Sequence, residues 1–133
     1  MLLPVTTILA SVLSLLFVWL SIQVIKRRRQ LRVLLGAGGQ QELEWAIRAQ
    51  GNFAEYVPIS LILIACAEFN KTDWRILIVF AIFLMSGRVL HAYGFLFARD
   101  NLDFRVRGMK LTFWVIITLA LWNIGLISYR ANA

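Results

Sequence analysis

Arg48-Ala49-Gln50-Gly51-Asn52-Phe53-Ala54-Glu55-Tyr56-Val57-Pro58 opens an otherwise apolar segment that runs to about Phe69. Arg48, Asn52 and Glu55 are spaced i, i+4, i+7, so on a helix they share one face. The segment is long enough to cross a bilayer, where lipid offers these groups no partner. A charge at the centre of a span costs roughly 2.5–3.5 kcal/mol, while each Leu, Ile, Phe or Val returns only about 0.3–0.6. Two charges cancel most of the apolar gain of this segment. The polar stripe is therefore expected to face a bundle interior or a polar pocket.

The rest of the chain agrees with a membrane setting. Of 133 residues, 60% are hydrophobic, and the mean hydropathy is +0.74. A soluble domain of this size is usually nearer half apolar. Spans are expected at about 2–25, 44–69, 74–97 and 108–129, with no room for a second domain between them. The first carries no charge and lacks the basic start of a signal peptide, so it reads as an uncleaved anchor. Its helix is expected to run on to about Leu35, where Gly36-Ala37-Gly38-Gly39 breaks it. Pro58 is expected to bend or loosen the second span. Arg99 to Arg107 reads as a polar connection, and Trp45 as a membrane-interface residue. The fold class is thus all-α, an integral membrane four-helix bundle formed by residues 1–133 as one unit.

Charge sets the expected orientation. Lys26, Arg27, Arg28, Arg29 and Arg32 follow the first span, and Arg99, Arg105, Arg107 and Lys110 precede the fourth. By the positive-inside rule both loops face the cytoplasm and both termini face out. These basic residues border spans rather than forming a domain of their own, which argues for contact with anionic membrane lipid and against nucleic acid. The glycine loop lacks the Lys-Ser/Thr of a phosphate-binding loop. Cys66 is the only cysteine and His91 the only histidine, so no metal site is expected. Cys66 sits among apolar neighbours and is expected to be a buried small hydrophobe.

At about 1.5 Å rise per residue, an antiparallel second and third helix would bring Glu55 level with Arg88, and Asn52 level with His91. A polar cluster of Arg48, Asn52, Glu55, Arg88 and His91 follows. It serves either as a Glu55–Arg88 pair that fixes helix register or as a binding pocket. His91 alone reads more readily as a hydrogen-bonded packing residue than as a catalyst.

Arg48-Ala49-Gln50-x-Asn52-x-x-Glu55-Tyr56-x-Pro58 resembles the second-helix signature of the MAPEG family, the membrane-associated proteins of eicosanoid and glutathione metabolism. The likeness covers nearly the whole chain. It includes Arg88-x-x-His91 in the third span and the basic start of the fourth, and the short connections resemble the small bacterial branch. The resemblance implies a homotrimer in a bacterial inner membrane, with glutathione held between subunits near the cytoplasmic face. Residues matching Arg48, Asn52, Glu55 and Tyr56 would grip the peptide, with Arg88 beside them. Arg29 and either Arg105 or Arg107 would come from the other side. One basic residue there, or His91, would activate the thiol toward a lipophilic small molecule. Several catalytic members place a tyrosine where His91 stands and an aromatic hydroxyl where Phe95 stands. Tyr93 lies about 200° around the helix from His91.

The expected function is that of a glutathione transferase or peroxidase working by thiolate attack. Two other readings are a non-catalytic lipid-binding or scaffold protein of the same fold and a small proton-coupled drug exporter. The exporter reading expects an isolated membrane glutamate facing a shared cavity.

Overall fold

A computed structural model describes residues 2–132. Four helices follow one another: α1 Pro4–Leu31, α2 Gln41–Phe69, α3 Trp74–Leu96 and α4 Leu102–Ala131. All four are long and apolar enough to cross a membrane, and the protein is an all-α integral membrane bundle. Many of their large apolar side chains point outward, among them Leu15, Ile82 and Ile117. A soluble protein would bury such residues; a bilayer covers them without penalty.

Helix boundaries differ from expectation for α1 and α4 and agree with it at the start of α2. α1 stops at Leu31 rather than Leu35, because Arg32 turns left-handed (φ 55°) and Val33 N–H closes back on the Arg28 carbonyl at 3.1 Å. α2 starts at Gln41, so Glu42 and Glu44 occupy its first turn, where carboxylates complement the helix dipole. α4 starts at Leu102, capped by the Asn101 side chain. The stretch read as a polar connection is therefore helical from its fourth residue, and Arg105 and Arg107 lie about 200° apart around α4. Pro58 lies inside α2 without ending it.

α3 and α4 make the closest approach. A methyl group at Gly108 would lie 2.6 Å from the Gly87 carbonyl oxygen and 2.7 Å from the His91 amide nitrogen. Only a hydrogen at this position lets the two backbones meet, as small residues do at membrane helix crossings. Polar tethers join two other pairs. Gln50 Nε2 donates to Ser21 Oγ between α2 and α1, and Asn123 Nδ2 donates to the Leu63 carbonyl between α4 and α2.

One tether is a helix cap supplied from another helix. α1 has no cap from its own Leu3. Instead Glu68, near the end of α2, accepts from Val5 N–H at 2.9 Å and Thr6 N–H at 2.8 Å, and from the Thr6 hydroxyl at 2.6 Å. These are orphan donors of a first helical turn, met by a carboxylate at the positive end of the dipole. Glu68→Ala is expected to lower stability by about 1–2 kcal/mol, the range for losing a good N-cap. Unfolding in mixed micelles would measure it. Thr6→Ala should then add little in the Glu68→Ala background, and full additivity would show that the two do not interact.

Cys66 was expected to be buried. It is exposed on the protomer surface, on the opposite side of α2 from the buried Ile64 and Ala67. Its apolar sequence neighbours are those of a lipid-facing helix, which hydropathy does not distinguish from a core.

Candidate functional site

The polar stripe of α2 opens onto a cavity of about 690 Å³. Gln41, Glu44, Trp45, Arg48, Asn52 and Glu55 line it from α2, and His91 and Phe95 from α3. At about 100° per residue those six α2 positions fall within an arc of roughly 100°, so one helix face supplies the wall. The sequence stripe began at Arg48, and the cavity extends it two turns toward the start of α2. Continuing the same spacing backward from Arg48 reaches Glu44 and Gln41, a signal present in the sequence but not followed. Trp45, read as an interface residue, is a wall of the cavity.

Arg88 sits behind this wall. It is 1% exposed, and its Nη1 donates to Asn52 Oδ1 at 2.7 Å. Nη2 reaches Met109 Sδ at 3.4 Å, and the guanidinium carbon lies 5.8 Å from the centre of the Tyr56 ring. The expected Glu55–Arg88 pair is absent. Among the described residues the ion pairs are those of Glu42 with Arg27 and Arg99. Glu55 is exposed on the protomer and lines the cavity. The guanidinium of Arg88 reaches the Asn52 amide and the Tyr56 ring, while Glu55 turns to the cavity. A buried cation held by a neutral amide, a thioether and an aromatic face keeps its positive charge close behind the cavity.

The remaining sequence candidates are dispersed. Arg105 lies over the Phe95 ring, its guanidinium carbon 4.9 Å from the ring centre, and its Nη2 donates to the Arg99 carbonyl at 3.2 Å. It does not line the cavity; Phe95 stands between. Arg107, two residues on, is exposed, as is Arg29 in the last turn of α1. Tyr56 turns toward α4, where its ring meets Phe113 at 5.5 Å. Thus Arg48, Asn52, Glu55 and His91 come together, Arg88 backs them, and Arg29, Tyr56, Arg105 and Arg107 lie outside the cavity of one protomer.

The rim is tied down by charge. Glu42 Oε1 lies 3.3 Å from Arg99 Nη2 and 3.6 Å from Arg27 Nε. Arg99 also lies over Trp45, 5.1 Å from the ring centre. The end of α1, the start of α2 and the α3–α4 connection therefore meet at this edge. No cluster of His, Cys, Asp and Glu that could hold a metal ion occurs among the described residues.

Residues 6–125, which include all of this cavity, match the model of the MAPEG family. The chain belongs to the MAPEG family. Two curated relatives are similar to this MAPEG protein over 120 residues at 35% identity, covering 90% of either chain. Both are called inner membrane protein YecN, one from Escherichia coli strain K12 and one from E. coli O6:H1 strain CFT073. The match spans all four helices, so the family assignment covers the α2 stripe, Arg88, His91 and the start of α4 together.

Proposed function

We propose that this MAPEG protein binds glutathione in the α2–α3 cavity and uses its thiolate to attack lipophilic electrophiles, as a transferase or peroxidase. The observation that carries the reading is the α2 stripe: Arg48, Asn52 and Glu55 line one cavity, and a buried Arg88 fixes the Asn52 amide from behind. Glutathione carries two carboxylates, one ammonium and a thiol. Arg48 suits a carboxylate, and Glu44 or Glu55 suits the ammonium. Arg29 and Arg107 are exposed on the protomer and, in a homotrimer, would complete a neighbour's site. The electrophile, like the membrane lipid around the bundle, would approach from the apolar side. No metal is required.

Binding to purified protein in detergent, followed by calorimetry, tests the reading. Arg48→Ala is expected to raise the half-saturating glutathione concentration at least tenfold while changing turnover less, since Arg48 grips ground state and transition state alike. Activity against a panel of electrophiles and lipid hydroperoxides separates an enzyme from a scaffold, which would bind without forming a thiolate.

The exporter reading gains one point from the structure, because Glu55 has no cationic partner among the described residues. It predicts resistance to cationic toxicants that depends on Glu55. Unchanged resistance in Glu55→Gln would dismiss it.

The YecN relatives, named as inner membrane proteins, support a bacterial inner membrane for this chain. With the basic loops inside, the cavity faces the cytoplasm, where glutathione is available. Cysteines introduced at Gly38 and Asn101, in a Cys66→Ser background, should resist an impermeant thiol reagent on intact cells, and one at Asn132 should react. Labelling at Gly38 from outside would reverse the orientation.

A further inference from the structure

A second hollow lies between α1 and α3, at the end of the bundle where both helices begin. It has a volume of about 550 Å³. Pro4, Ile8 and Val12 form one wall and Trp74, Ile78 and Ile82 the other, with Ala81 and Met85 beside them. Ser86 is the one polar side chain that lines it. The groove has a structural cause. Glu68 ties the first turn of α1 to the end of α2, and α1 therefore leaves this face of α3 uncovered. The small side chain of Ala81 adds to the depth.

The dimensions suit a lipid tail. From Pro4 to Val12 the groove runs about 12 Å along α1, and from Trp74 to Met85 about 16 Å along α3. Half of a hydrocarbon core of about 30 Å is about 15 Å, so the groove is one leaflet deep. Further along the same face the space narrows to about 270 Å³. There Trp19 stacks on Phe97 at 6.4 Å, and Tyr93 meets Phe97 at 5.6 Å. A helix of a second protein would need the full thickness of the membrane. The face that calls for a protein partner is a different one, the charged stripe of α2, since lipid offers it nothing. No residue of α2 lines this groove.

The mouth carries a cation. Arg75 is exposed, and its guanidinium carbon lies 5.6 Å from the centre of the Trp74 ring, which lines the groove. It has no ion-pair partner among the described residues. The acidic groups at this end are engaged as helix caps: Asp73 accepts from Arg75 N–H, and Glu68 from Val5 and Thr6 N–H.

We propose that this groove is a phospholipid site, with one acyl chain between α1 and α3 and the phosphate at Arg75. The lipid belongs to the leaflet at the N-terminal end of α1. The guanidinium suits a phosphate, and Trp74 marks the level where headgroups begin. The site is independent of the glutathione reading and lies in the other half of the membrane from the polar cavity.

Native mass spectrometry of the purified protein in mild detergent counts bound lipids and protomers together. Titrated with dioleoylphosphatidylglycerol, each protomer should hold one lipid more tightly than all others. Ile82→Trp fills the groove from its exposed edge and should weaken that lipid at least about tenfold, because it displaces buried methylenes. Ile124→Trp makes the same change on the exposed side of α4 and should leave it bound. Arg75→Ala should weaken it about threefold, the worth of an exposed ion pair. The same variant should bind dioleoylglycerol, which has the tails but no phosphate, as the wild type does. Arg75 lies outside the groove, so this arm decides the matter even if Ile82→Trp misfolds. No distinguishable tight lipid on the wild type, full retention in a folded Ile82→Trp, or full affinity in Arg75→Ala would overturn the proposal. A changed number of protomers in Ile82→Trp would overturn it too, by making the groove an interface between copies.

Discussion

Asn52→Leu is expected to destabilise the protein by about 2–3 kcal/mol. Among the described residues, Asn52 Oδ1 is the one oxygen that accepts from the buried Arg88 guanidinium, at 2.7 Å. A hydrogen bond to a charged group contributes about 1.5–3 kcal/mol, and here its loss leaves a cation buried with only a thioether and an aromatic face. Arg88→Met in the Asn52→Leu background should recover much of the loss, because it removes the stranded charge. Glu55→Gln should change stability by no more than about 0.5 kcal/mol, as for an exposed side chain without a partner. Unfolding of these variants in mixed micelles, together with Arg88→Met alone and combined with Glu55→Gln, separates the possibilities. A large effect of Glu55→Gln, suppressed by Arg88→Met, would restore the ion pair that the structure lacks. Arg88→Met should also weaken glutathione binding, since its charge and its hold on the Asn52 amide both serve the cavity.

Gly108→Ala should be nearly as severe. The new methyl group would meet the Gly87 carbonyl at 2.6 Å and the His91 amide at 2.7 Å, and both are backbone atoms of a packed helix. Overpacking of this kind costs about 1–3 kcal/mol. The helices must also separate, which draws the Arg105 carbonyl away from His91 Nδ1. Gly125→Ala is the control. That glycine, on the same helix, has nothing within 4 Å of the added carbon, so its replacement should be neutral or mildly stabilising. If the two variants were equally stable, the α3–α4 crossing could not be this close.

These two expectations show where local reading reaches and where it stops. The α2 stripe was legible because helical spacing puts Arg48, Asn52 and Glu55 on one face whatever surrounds them, and a bilayer forbids that face to look at lipid. The partner of Arg88 was not legible. Helix depth does not fix where a long arginine side chain ends, and Glu55 and Asn52 lie only about one turn apart on α2. The same limit applied to Arg105 and Arg107: read as loop residues they were interchangeable, whereas helical phase sends one toward α3 and the other outward. Cys66 failed for a different reason. Apolar neighbours mean a core in a soluble protein, but on a membrane helix they accompany lipid-facing positions equally well.

The sequence by itself determined that this is a membrane bundle of four helices with a polar face on the second, because hydropathy, length and helical periodicity are local properties. The tertiary structure decided which groups meet. It joined Arg88 to Asn52 rather than Glu55, put Phe95 between Arg105 and the cavity, and gave one nitrogen of His91 an α4 carbonyl. Those contacts depend on how far one helix slides past the next. That offset is set by the glycine crossing of α3 and α4 and by tethers such as Glu68 of α2, which caps α1, and no single helix contains it.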